Sequence, residues 1–167
     1  MSTLVKIKDM VVTAFSFTLG IILIAGGILF AMGIKPSITV SGSMEPEIKT
    51  GSLCFVNTRA SFYDVEEGDV IAFETPTGGM VTHRVIGAEE GGIVLITKGD
   101  NNEISDGPTT SVENFRGETL FSIPYLGYAV AAIQKPPYKW ITYIAIGGLV
   151  LLTIVDMCGK DEEDEKI

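Results

Sequence analysis

The segment Ser41-Gly42-Ser43-Met44-Glu45-Pro46 puts two hydroxyls into a turn closed by proline, and the only histidine of the 167 residues, His83, follows 40 positions after Ser43. A serine hydroxyl is a weak nucleophile at neutral pH and needs a base within hydrogen-bond reach. Imidazole, with an unperturbed pKa of about 6.5, suits that task when its second ring nitrogen is held by another group, usually a carboxylate. Asp100 and Asp106 lie in the loop that runs from Thr97 through Lys98-Gly99-Asp100-Asn101-Asn102 to Asp106, and either can supply that carboxylate. The chemistry of such a set is acyl transfer through a serine. Taken singly, each piece fits an ordinary turn, strand or loop equally well.

Other pairings are weaker. Lys98 acting as the base would need burial to depress its pKa, and it adjoins a polar Gly-Asp-Asn stretch. Cys54 stands inside the apolar run Leu53-Cys54-Phe55-Val56 and reads as a small core residue. A single histidine makes no His cluster for a metal, and the stretch from Asp100 has Ile104 and Ser105 where a calcium loop needs an oxygen ligand and a glycine. No metal and no cofactor are expected.

The elements around these residues begin with a charge-free apolar run of 24, Val11 to Ile34. At about 1.5 Å per residue it crosses a hydrocarbon core of roughly 30 Å, and it is longer than the apolar part of a cleaved signal peptide. Residues 11–34 are therefore predicted as a transmembrane helix after a short cytoplasmic segment, 1–10. A second apolar run, Trp140 to Val155, has aromatic residues at its entry, as at a membrane interface, and 139–157 is predicted as a second span. Residues 158–167, with Asp161 to Glu165 all acidic, form a solvated cytoplasmic tail. Lys6 and Lys8 before the first run are nearly balanced by Lys35, Lys135 and Lys139, so charge alone does not orient the chain. Cys158 would lie across the bilayer from Cys54, which excludes a disulfide between them.

Between the two runs, residues 35–138 read as mainly β. Leu53–Val56, Val70–Phe73, Met80–Ile86 and Gly92–Ile96 are rich in β-branched and aromatic residues, and Glu67-Gly68-Asp69, Thr77-Gly78-Gly79 and Glu90-Gly91-Gly92 mark turns. The expected architecture is a small antiparallel sheet or partly closed β-barrel flanked by N- and C-terminal transmembrane helices. A net charge of −9, with basic residues scattered singly, argues against a nucleic-acid partner.

Four blocks now stand in order: Ser41-Gly42-Ser43-Met44-Glu45-Pro46, Gly68-Asp69-Val70-Ile71-Ala72-Phe73, His83-Arg84-Val85, and Lys98-Gly99-Asp100-Asn101-Asn102 with Asp106. Over roughly residues 11 to 155 the chain resembles the type I signal peptidases, in the archaeal and endoplasmic-reticulum branch that uses histidine where common bacterial enzymes use lysine. The resemblance implies Ser43 as nucleophile, His83 as general base and Asp106 as the carboxylate that orients it. Asp100 becomes a second acidic position that holds the loop or supports the site, and Ser41 with the Ser43 N–H become oxyanion donors. It further implies a membrane-bound serine endopeptidase that removes signal peptides after small residues. Its catalytic domain would lie on the extracytoplasmic side of the cell membrane in a multi-pass protein. Its partners would be signal-peptide-bearing preproteins, the lipid bilayer and the secretion machinery.

Met44, Ile38 and Val40 are expected to wall the pocket for the small substrate side chains. The chain departs from the family pattern at Gly51-Ser52, where a Gly-Asp pair is common. The competing reading is a non-catalytic membrane-anchored β-domain adaptor or an inactive peptidase homologue. It gives no reason for Ser43, His83, Asp100 and Asp106 to occur together.

Overall fold

A computed structural model describes residues 3–148 and 150–151. The chain forms two compact units, one of Met1–Ile28 with Ala132–Ile167 and one of Leu29–Ala131.

Among its described residues the first unit is mainly helical. Helix α1, Thr3–Ala31, carries Lys6, Lys8 and Asp9 near its start and no charged residue from Met10 to Ala31, where Leu, Ile, Ala, Val and Phe dominate. Its stretch Met10–Ala31 has a mean hydropathy of 2.2 with none of that apolar window buried, so it is long and apolar enough to cross a membrane. A helix suits that setting because its backbone polar groups bond within the element. The helix stops three residues before the expected end at Ile34: Gly33 takes φ +83° and its N–H donates to the Phe30 carbonyl at 3.0 Å, a left-handed terminator that glycine adopts without strain. Residues 138–148 are helical, as are 150–151. Among the described residues α1 is the single helix that meets the requirements for a span. The second predicted span, 139–157, falls partly outside the described residues, and the acidic tail 158–167 lies wholly outside them. A multi-pass arrangement is thus not seen.

The second unit carries one seven-stranded sheet: β1 Ile34–Ile38, β2 Leu53–Asn57, β3 Val70–Glu74, β4 Met80–Glu89, β5 Val94–Lys98, β6 Gly107–Thr110 and β7 Phe115–Ile123. Their order is β1-β2-β7-β3-β4-β5-β6, and every neighbouring pair is antiparallel. With β1 and β6 at its edges the sheet is open, so the expected antiparallel sheet is present and closure into a barrel is not. Helix α2, Leu126–Gln134, follows β7.

Strand alternation decides which residues meet. Ile71 pairs with His83 and Phe73 with Val81, so these four project to one face, together with Val85 two residues beyond His83. That face holds the main core of Phe62, Ile71, Phe73, Val85 and Leu95, with Val65, Val81 and Phe115 packed against it. His83 is consequently buried, at 7% exposure, at the border of an apolar layer. A smaller cluster of Met44, Ile48 and Cys54 lies under the serine turn. Fully burying a Met side chain contributes roughly 2 kcal/mol, so Met44 anchors the turn that carries Ser43, the residue just before it. The loop carrying that turn is pinned at its base, where Thr39 N–H donates to the Ser52 carbonyl at 3.0 Å and Gly51 N–H to the Thr39 carbonyl at 2.8 Å.

Candidate active site

Three segments far apart in sequence converge on His83. Its Nε2 lies 3.0 Å from Ser43 Oγ, on the turn after β1, and its Nδ1 lies 2.5 Å from Asp106 Oδ2, just before β6. An ionised carboxylate only accepts, so Nδ1 carries the proton and donates to Asp106, which leaves Nε2 as the acceptor for the Ser43 hydroxyl. That assignment fixes the next bond too. Ser41 Oγ stands 3.1 Å from Ser43 Oγ, and because the Ser43 proton is directed at His83, Ser41 is the donor.

Asp100 does something different. Its carboxylate takes a two-pronged bond from Arg84, at 2.8 Å from Nε and 2.6 Å from Nη2, while Arg84 Nη1 donates to the Gly68 carbonyl at 2.8 Å. The bond to Asp100 also raises the pKa of the guanidinium above its ordinary value. The effect is to tie the loop after β5 to β4 and to the turn before β3. From that braced loop Asn101 N–H donates to the Ser43 carbonyl at 2.8 Å, and Gly99 approaches so closely that a Cβ there would lie 2.6 Å from the same oxygen. The main chain of Ser43 is thus gripped from behind by a loop whose position Arg84 and Asp100 maintain. Arg84 stands next to His83 in sequence, but its contacts here become visible only with the fold.

Ser43, His83, Asp106 and Ser41 therefore come together, and Asp100 stands one layer away on Arg84. Ile38 and Val40 line a cleft of about 290 Å³ beside Ser43 and His83. Met44 does not line it: the side chain is 0% exposed and packs into the cluster with Ile48 and Cys54, so Met44 is a core residue rather than a pocket wall. Met80 and Asn102 line the cleft and were not picked out by sequence pattern. Ser52, in place of the common acidic residue, is fully buried.

The rival nucleophiles are elsewhere. Cys54 is buried in β2, hydrogen-bonded with Thr39 Oγ1 at 3.1 Å, and burial pushes its thiol pKa up, the wrong direction for a thiolate. Glu45 is pulled down from the usual carboxylate range by the Thr50 N–H and hydroxyl, at 3.1 and 2.8 Å, which close the turn behind Ser43. Among the described residues no group of three or more His, Cys, Asp or Glu side chains is placed to hold a metal ion.

Comparison with known proteins finds a matching family and several relatives. The family described as Signal peptidase, peptidase S26, matches residues 10–106. Signal peptidase I W of Bacillus subtilis (strain 168) is 39% identical over 103 residues, which are 60% of this chain and 54% of that relative, so this chain spans about half its length. The signal peptidase complex catalytic subunit sec11 of Schizosaccharomyces pombe is 30% identical over 153 residues, covering 75% of this chain and 78% of the relative. The corresponding SEC11C subunit of Canis lupus familiaris is 31% identical over 140 residues, covering 75% and 72%.

Proposed function

Since the chain belongs to the signal peptidase family, peptidase S26, we propose that it is a membrane-bound serine endopeptidase that removes signal peptides from secreted preproteins. The observation that carries this reading is the His83 ring, which reaches the Ser43 hydroxyl with one nitrogen and Asp106 with the other.

In the proposed reaction Ser43 Oγ attacks the scissile carbonyl while His83 Nε2 takes its proton, and Asp106 holds the imidazole in the tautomer that can accept it. The oxyanion forms against the Ser43 N–H and the Ser41 hydroxyl, and each such donor contributes typically about 3 to 4 kcal/mol to the transition state. His83 then gives its proton to the leaving amine and activates a water that releases the acyl group. Asp100 acts at one remove, through Arg84 and the loop that grips Ser43.

Substrate recognition follows from the sheet. Pairing of β5 with β4 begins at Arg84, so among the described residues the stretch Met80–His83 has β3 on one side and an open edge on the other. An extended peptide adds there as a strand, with Ile38 and Val40 walling the pockets that admit small side chains before the cut. Helix α1 is the membrane anchor. Only 11 residues, 32–42, separate Ala31 at the end of α1 from Ser43, so the nucleophile stays close to the bilayer surface where a signal-peptide cleavage site emerges. In this topology residues 35–138 are extracytoplasmic, 139–157 form a second span, and preproteins arrive from the secretion machinery.

The test is cleavage of a signal-peptide-bearing preprotein by membranes containing the wild-type chain, Ser43→Ala or His83→Ala, with the new N-terminus sequenced. Wild-type cleavage after small residues, abolished in both variants, is expected. Equal cleavage by Ser43→Ala would refute the assignment.

A further inference from the structure

We propose that Thr97 is a positioning residue for the general base, acting through Asp106; the inference rests on the peptidase reading above. Thr97 lies in β5 with 0% exposure, and its Oγ1 donates to Asp106 Oδ2 at 2.7 Å. That is the same oxygen that accepts from His83 Nδ1. One carboxylate oxygen is therefore held from two strands at once, β5 through the threonine and β4 through the base. The main chain repeats the tie, since Asp106 N–H donates to the Thr97 carbonyl at 2.8 Å.

The two bonds do different work. The backbone bond fixes where Asp106 leaves the loop, while the hydroxyl fixes how its carboxyl group is turned about a torsion that is otherwise broad. The Asp106 side chain is 24% exposed, so a water can satisfy it in a rotated state that no longer holds the imidazole. Thr97 removes that alternative. Serine retains the hydroxyl, valine keeps the branched shape without it, and cysteine offers only a weak donor. The series therefore separates turning of the carboxylate from packing in β5.

The full-length chain is assayed on a signal-peptide-bearing preprotein for kcat and KM, and its single histidine, labelled with nitrogen-15, reports the His83 Nδ1–H resonance without substrate. Thr97→Val is expected to lower kcat about tenfold with KM within about twofold, and Thr97→Ser to restore kcat to within about threefold of wild type. The Nδ1–H resonance should move in Thr97→Val and stay in place in Thr97→Ser. If Thr97→Val does not fold, Thr97→Cys is expected to show the same pattern at smaller size. A folded Thr97→Val or Thr97→Cys with wild-type kcat, or with an unmoved resonance, overturns the proposal. A wild-type chain that cleaves no preprotein overturns the peptidase reading instead, while the resonance still reports whether Thr97 governs His83.

Discussion

Gly99→Ala tests whether the loop after β5 sets the position of the nucleophile. An alanine Cβ at this position would stand 2.6 Å from the Ser43 carbonyl oxygen and 2.8 Å from Asn102 Nδ2. The Asn102 amide is the end of a side chain and can move, but the carbonyl belongs to the main chain of Ser43, the proposed nucleophile. Relieving that contact even to 3.0 Å, the limit real Cβ atoms respect, moves one backbone against the other by about 0.4 Å. The same movement lengthens the Asn101 N–H bond to Ser43, now 2.8 Å. Misplacing a reacting group by about 1 Å can cost on the order of 100-fold in rate, so a shift of this size predicts a loss of kcat of roughly tenfold. The assay is preprotein cleavage with kcat and KM resolved, alongside a melting curve that confirms folding. Gly87→Ala is the control, because nothing lies within 4 Å of a Cβ there and its φ is unremarkable. A folded Gly99→Ala enzyme with kcat within about twofold of wild type would show that the loop does not set the serine's position, and the bracing role given to Arg84 and Asp100 would fall with it.

Two further perturbations discriminate between the acidic groups. Asp106→Asn is expected to reduce kcat by about 100-fold or more, because an amide no longer holds the imidazole in its accepting tautomer, whereas Asp100→Asn weakens the Arg84 clamp and costs less; the opposite order in the same cleavage assay would exchange the two roles. Glu118, in β7, has its carboxyl pushed above the usual range by burial and then by the charge of Asp69. A carboxylate raised on folding binds more protons in the folded chain than in the unfolded one, so its contribution to stability is present at low pH and is lost as pH rises past the ordinary carboxylate range. Glu118→Gln should thus raise the melting temperature by about 1–2 °C at pH 7 and give no gain near pH 4; melting curves at the two pH values check the sign.

How far the chain could be read unaided depended on whether a feature was local. The helix α1, and the strands β2 to β5 in outline, announce themselves by runs of apolar or β-branched residues between turn signals. β1 is hidden by Pro36, which a central strand would not tolerate but an edge strand does, and only the pairing with β2 shows it to be an edge. β7 is hidden for the opposite reason: it sits between β2 and β3, partners more than 40 residues earlier, and Gly117 and Arg116 interrupt its pattern. Within the site, Ser43 and His83 taken singly fit an ordinary turn and strand, and they stand out in the sequence only through the ordered blocks that carry the family resemblance. The two aspartates could not be told apart by spacing, since only five residues of one loop separate them. Their partners differ by strand parity and by Arg84. His83 points to the core face, where Asp106 meets it, and the neighbouring Arg84 turns to the other face and takes Asp100. Adjacent residues on β4 thus engage the two acids of one loop on opposite sides of the sheet: in the proposed reaction one pairing orients the base, while the other holds the loop that grips Ser43. That division predicts that exchanging Asp106 with its neighbour Ser105, as Ser105→Asp with Asp106→Ser, abolishes preprotein cleavage even though charge and composition are unchanged, because a carboxylate one position along the loop no longer meets His83.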